Sequence, residues 1–172
     1  MQFSVGVEYA LRCLLYMVDM PNGKTVGIKD LAAYQGVSET YLSKVFTKLR
    51  KQGVVKSVPG VNGGYELARQ PGHITFWDVV EAIEGPAAWF QCAEIRQNEL
   101  LLDKAHLPDS HTKCPCLIKV VMLEAEEQMK VFLQTKTLGW LHGQVDEKVP
   151  AEHGKAVREW FSNPSARPRL PL

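Results

Sequence analysis

Ser38-Glu39-Thr40-Tyr41-Leu42-Ser43-Lys44-Val45-Phe46-Thr47-Lys48-Leu49-Arg50-Lys51-Gln52-Gly53 is the stretch whose periodicity decides the fold. Leu42, Val45, Phe46 and Leu49 recur at three- and four-residue spacing, the apolar stripe of an amphipathic helix. Ser38 is a favoured N-cap and Gly53 a favoured terminator, so the spacing predicts a helix from Glu39 to about Gln52. Ser38, Thr40, Tyr41, Ser43 and Lys44 occupy the polar face toward its N-terminal end, with Lys48, Arg50 and Lys51 farther along.

Upstream, Ser4 is placed to cap a first helix with Val7, Ala10, Leu11, Leu14, Leu15 and Val18 as its stripe, ending at Pro21-Asn22-Gly23. Ile28, Leu31 and Ala32 mark a short second helix that stops at Gly36. Downstream, two strand-like runs, Val54 to Val58 and Tyr65 to Arg69, flank the glycine-rich Pro59-Gly60-Val61-Asn62-Gly63-Gly64, the pattern of a hairpin. Thr75 caps a further helix reaching about Glu84, with Asp78 completing an imperfect capping box. Residues 86–113 have weak periodicity and are expected to be mostly loop, with a short helical turn at 93–102. A long helix is expected from Cys114-Pro115 to about 142, proline being favoured in a first turn. Its Ile118, Met122, Ala125, Met129 and Phe132 form a coiled-coil-like seam, and a second copy of the chain is its natural partner. The C-terminal extension, 143–172, is expected to hold a short helix from Ala151 to Phe161 and to be disordered past it, around Pro164, Pro168 and Pro171.

The fold class is therefore mainly α with a small β-hairpin: a winged helix-turn-helix over 1–85, a sensor loop over 86–113, a dimerisation helix over 114–142 and the extension. Charge agrees with this division. Net charge is +1, yet residues 1–72 hold nine Lys/Arg against five Asp/Glu. Between Thr40 and Tyr65 stand Lys44, Lys48, Arg50, Lys51 and Lys56 with no acid among them. A basic patch on a neutral chain suits a phosphate surface. Hydroxyls and Lys44 at the start of the third helix suit base edges, and Lys48, Arg50, Lys51 and Lys56 suit the backbone. Asn62 and Gly63 would bring the hairpin tip close to a minor groove. Double-stranded DNA is the expected partner.

Tyr41-Leu42-Ser43-Lys44-Val45-Phe46, Leu49-Arg50-Lys51-Gln52-Gly53-Val54-Val55, and Gly63-Gly64-Tyr65 with Leu67-Ala68 resemble the Rrf-type winged-helix transcription regulators, a family with iron–sulfur, nitric-oxide-sensing and cysteine-metabolism members. The Phe3-Ser4 start and the Thr75-to-Gly85 helix extend the resemblance over roughly residues 1–140. It implies a homodimer with a crossing dimerisation helix, palindromic operators, and a major-groove face at the positions of Ser38, Thr40, Tyr41, Ser43 and Lys44. Many members carry an arginine in the wing where this chain has Pro59.

Four cysteines, Cys13, Cys92, Cys114 and Cys116, are too few and too scattered for a disulfide scaffold. Cys13 lies in the apolar stripe of the first helix and is assigned to packing. For Cys92, Cys114 and Cys116 several readings stay open. A reversible disulfide from Cys92 to Cys114 or Cys116 would make a redox switch, because Cys114 and Cys116 sit at a helix start, where thiolate is favoured. The resemblance implies an iron–sulfur alternative with Glu8 or a histidine as a fourth ligand, although cluster-binding members space their three cysteines more closely. Zinc held by these cysteines with His106 and His111 is a third reading, and incidental thiols a fourth. No cofactor is expected under the first.

No phosphate loop, nucleophile elbow or paired-carboxylate site is present, and no Cys-x-x-Cys supports a thiol-disulfide enzyme, so no enzymatic activity is expected. Neither a signal-peptide pattern at Met1-Gln2-Phe3-Ser4 nor an apolar run long enough for a bilayer is found, and the expectation is a cytoplasmic regulator, a repressor, that binds no membrane.

Overall fold

The computed structural model describes residues 2–21, 24–60, 63–86 and 89–162; Asn22, Gly23, Asn62 and the expected disordered tail lie outside them. In chain order the elements are α1 (Val5–Val18), α2 (Ile28–Gln35), α3 (Glu39–Lys51), β1 (Val55–Val58), β2 (Gly64–Leu67), α4 (Phe76–Glu84), α5 (Asp109–Thr112), α6 (Leu117–Gln134), α7 (Leu138–Lys148) and α8 (Ala151–Ser162). They fall into two compact units, one formed by Gln2–Gly85 with the chain from Leu133 onward, the other by Pro86–Phe132.

In the first unit the stripe of α3 is buried as its spacing required: Leu42, Phe46 and Leu49 are fully enclosed and Val45 nearly so. They meet Leu14 and Cys13 of α1, Leu31 of α2 and Val79 of α4 in one core, the main source of stability for a domain of this size. The buried face of α1 is rotated from the expected stripe: Gly6, Val7, Ala10, Cys13, Leu14 and Met17 face inward. Leu11 and Leu15 instead line an open groove of about 690 Å³ with Phe3, Phe76 and Leu141. Ser4 precedes α1 but makes no side-chain cap; its hydroxyl and N–H both donate to Glu84 Oε1, at 2.7 and 2.9 Å, tying the start of α1 to the end of α4. The Thr75 box is complete, since Asp78 N donates to Thr75 Oγ1 and Thr75 N to Asp78 Oδ2.

β1 and β2 pair antiparallel, Val55 opposite Leu67 through Val58 opposite Gly64. Val26 adds a bridge on the far side of Tyr65, with reciprocal N–H···O bonds of 2.9 Å. Phe46 meets the Tyr65 ring edge-on at 4.9 Å, which seats the hairpin on α3.

The helix expected over 114–142 is two helices. Phe76 N donates to the Lys136 carbonyl and Leu138 N to the Ile74 carbonyl, while Thr137 bridges Thr75. These bonds hold the chain extended just where a continuous helix would need the same groups, and the Thr137 hydroxyl then caps α7 by accepting from Trp140 N. At the other end α6 starts at Leu117, so Pro115 precedes the helix rather than opening it. The 86–113 segment contains a 3-10 turn at Ile95–Asn98 and the short α5. No residue of α6 is buried, and Ile118, Met122 and Phe132 of the expected seam are 66%, 40% and 58% exposed. Past the break, α7 and α8 belong to the first unit, where Phe161 stacks on Tyr16 and both Phe161 and Trp160 lie against Tyr34 of α2. Among the described residues no helix is long and apolar enough to cross a membrane.

Candidate nucleic-acid interface and thiol site

α2 and α3 are joined by a three-residue turn, Gly36, Val37 and Ser38, and Ser38 Oγ accepts from Tyr41 N at 3.2 Å to start α3. Ser38, Thr40 and Lys44 are exposed on α3, with Ser43 half-buried beside them. Arg50, Lys51 and Lys56 are exposed around the α3–β1 corner, where Arg50 reaches Ser57 Oγ at 3.5 Å and Lys56 pairs across the hairpin with Glu66 at 3.1 Å. Exposed hydroxyls and cations thus stand on α3 and at the corner where it meets β1, the kinds of group that a winged helix can use on base edges and phosphates.

Two of the expected contacts are engaged inside the fold. The Tyr41 ring packs edge-on against Tyr9 at 5.7 Å, with its hydroxyl beside Gly6. The Lys48 ammonium donates to the Ile83 carbonyl at 2.6 Å. The wing glycines also have an internal duty. A Cβ on Gly64 would lie 2.6 Å from the Val26 carbonyl oxygen, and one on Gly63 2.4 Å from that of Val58. Val26 was not anticipated as part of the wing, because a single bridging residue carries no strand periodicity.

In the second unit the three cysteines are not equivalent. Cys114 is exposed, while Cys92 and Cys116 are half-buried, with the Cys92 thiol near enough to Cys116 to help lower its pKa. Cys116 immediately precedes α6, and its carbonyl accepts from Val120 N. The Lys119 backbone N–H, the foremost cause, holds its thiol below the usual value, with help from the Ile118 N–H, the Cys92 thiol and the Arg96 charge; partial desolvation opposes them. Cys13 is fully enclosed in the other unit, and burial pushes its thiol up to about 12, which makes it a packing residue. Phe90 N donates to a Glu126 carboxylate oxygen, holding the Cys92 limb to α6.

Arg96 is the residue the sequence concealed. It bonds Glu94 Oε2 at 2.9 Å and the carbonyls of Ser110 and Cys114 at 2.9 and 2.7 Å. Its acceptors are mostly backbone oxygens, which leave no side-chain signature to read.

An iron–sulfur cluster takes three or four thiolates around one centre. Here Cys92 and Cys116 are half-buried and Cys114 is exposed. His106 is bonded to Asp103 and His111 to Ser110. Among the described residues no three His, Cys, Asp or Glu side chains converge as a metal site would require.

A family model for Rrf2, described as an iron-dependent transcriptional regulator, matches residues 3–144. The chain is 32% identical over 138 residues to the HTH-type transcriptional regulator NsrR of Geobacillus kaustophilus (strain HTA426), covering 80% of this chain and 87% of that protein. The solved structure of T. potens IscR aligns over 88% of this chain and 93% of its own, with a TM-score of 0.63 and 25% identity. That of CymR (YrzC), the global cysteine regulator of B. subtilis, covers 84% and 98% with a TM-score of 0.61; at 23% identity it shows the common fold. Family, fold and the basic α3–wing edge agree: the chain belongs to the Rrf2 family of winged-helix, DNA-binding transcription regulators, which are not enzymes.

Proposed function

We propose that this regulator is a cytoplasmic homodimer that represses transcription from a palindromic operator, its grip on DNA set by the redox state of Cys92 and Cys116. The observation that carries the redox reading is the Arg96 clasp, which joins the limb after Cys92 to the limb before Cys116, with Cys116 at a helix N-terminus. The exposed apolar seam of α6 supports the dimer, because such a face is stable when a second copy covers it. A twofold dimer pairs naturally with a palindrome. Thr40, Ser43 and Lys44 are read as facing base edges, with Ser38 at the cap beside them. Arg50, Lys51, Lys56 and Gly63 are read as facing the backbone and the minor groove.

In the reduced protein the Cys116 thiolate attacks a hydroperoxide. A sulfur–oxygen bond forms, the peroxide bond breaks, and the displaced oxyanion takes up a proton to leave as alcohol or water. Cys92 sulfur then attacks the Cys116 sulfenic acid. The disulfide forms, hydroxide leaves and combines with the Cys92 proton as water, so two thiols are oxidised and one peroxide is reduced. The new bond closes the chain between residues 92 and 116, tying the sensor segment to the start of α6, and oxidation weakens operator binding.

The test is to treat reduced protein with one equivalent of hydrogen peroxide, map cross-linked peptides and titrate genomic operator fragments by gel shift. A Cys92–Cys116 linkage, an operator affinity that falls at least about tenfold, and recovery in dithiothreitol are expected, with no response from Cys92→Ser or Cys116→Ser. An unchanged affinity after complete oxidation rejects the switch. A visible spectrum of protein purified without oxygen is expected to lack sulfur-to-iron bands; bands that disappear in the cysteine variants would replace the disulfide with a cluster.

A further inference from the structure

We infer that Arg96 is the positioning residue of this thiol couple: its guanidinium ties the limb after Cys92 to the limb before Cys116, so that these two sulfurs meet and Cys114 is left in solvent. The inference rests on the couple proposed above. One side of the guanidinium holds Glu94, two residues past Cys92, and the other holds the carbonyls of Ser110 and Cys114, in the turn that leads into Cys116. Gln97 adds a parallel bond to the His111 carbonyl at 2.8 Å. The Arg96 side chain is 21% exposed, so the clasp is largely shielded from water.

Glu94 has φ +49°, the only positive φ of a non-glycine residue among the described residues. L residues avoid this region, and one persists there only where its surroundings over-determine it. The Arg96–Glu94 pair is one such constraint, and it lies beside a candidate thiol. Only arginine offers planar, divergent donors able to hold a carboxylate and two carbonyls at once; lysine supplies the charge as a single point. Arg96 contributes no atom to the oxidation, in which two thiols and a hydroperoxide still become a disulfide, an alcohol and water. It selects which thiols react.

The experiment uses the full chain, its Arg96→Met variant and its Arg96→Lys variant, each oxidised with hydrogen peroxide and peptide-mapped. Cys116 alkylation by iodoacetamide is followed across pH. The wild type is expected to yield a Cys92–Cys116 product. Arg96→Met is expected to yield a mixture containing Cys92–Cys114, with Cys116 alkylation at pH 7 slowed about twofold and its pH midpoint raised, because the Arg96 charge is the last of the causes that hold this thiol low. Arg96→Lys keeps the charge but cannot span both limbs, and is expected to recover part of the alkylation rate while the pairing stays mixed. A purely structural loss would not move the pH midpoint of Cys116 in a variant whose circular dichroism is unchanged. A single Cys92–Cys116 product from Arg96→Lys overturns the inference even if Arg96→Met fails to fold. A wild type that never forms this bond defeats the thiol couple itself, whatever the variants do.

Discussion

Lys48 Nζ donates to the Ile83 carbonyl oxygen at 2.6 Å, across 35 positions of sequence. The bond puts a cation on the last turn of α4, where unsatisfied carbonyls and the helix dipole both favour one. A lysine that belongs by sequence to the basic row proposed to face DNA therefore acts as a clamp between α3 and α4. Lys48→Met is expected to destabilise the protein by about 1 kcal/mol, below the usual range for a charged hydrogen bond because the side chain is exposed. It is expected to leave the salt dependence of DNA binding unchanged. Lys51→Ala should do the reverse, with stability within about 0.5 kcal/mol and the slope of log K against log salt reduced by about one. Equal slopes for the two variants, both reduced, would return Lys48 to the phosphate contacts.

The α8 helix lies beyond the span matched by the family model, yet it completes an aromatic cluster with the helix-turn-helix. Phe161 is 7% exposed, with ring centroids 5.8 Å from Tyr16 and 5.2 Å from Tyr34. Phe161→Ala is expected to cost about 3 kcal/mol in urea unfolding, the usual scale for a buried phenylalanine. A loss below about 0.5 kcal/mol would mean that α8 is not packed on α1 and α2 in solution.

Gly64→Ala sets a methyl group against the Val26 backbone, which has no flexible end to give way. The wing must lift from Val26 to relieve the contact. Operator affinity is expected to drop at least about tenfold, with a smaller effect on thermal stability because the α-helical core is untouched. Wild-type affinity in Gly64→Ala would show that the wing contributes little to binding.

Burial raises the Cys13 thiol from 9.0 to about 12, so its contribution to stability has a defined pH window. Below the unfolded-state value both forms are protonated and the contribution is intact. As pH rises past it the unfolded chain ionises first, and stability falls until the folded thiol ionises in turn, with a slope of at most about 1.4 kcal/mol per pH unit. Urea midpoints between pH 8 and pH 10.5 are expected to fall more steeply for wild type than for Cys13→Ala. Parallel slopes would show that the thiol titrates near its ordinary value in the fold.

The amino-acid sequence by itself determined the elements whose signals are local. The apolar spacing of Leu42, Val45, Phe46 and Leu49, the Ser38 and Thr75 caps and the glycine-rich hairpin are set by neighbours within a few residues, so α3, α4 and the wing were legible, and with them the clustering of basic residues on α3 and β1. What required the tertiary structure depends on partners distant in sequence. The helix expected through 142 breaks at 135–137 because residues 74–76 take up its backbone bonds. The Lys48 ammonium and the Tyr41 ring are engaged because the Ile83 carbonyl and Tyr9 are there to receive them. Among three sequence-equivalent cysteines, Cys116 rather than Cys114 stands beside Cys92, and Arg96 clasps backbone carbonyls that no motif records. Periodicity reports which face of an element is apolar; only packing decides what that face, and each polar group beside it, will touch.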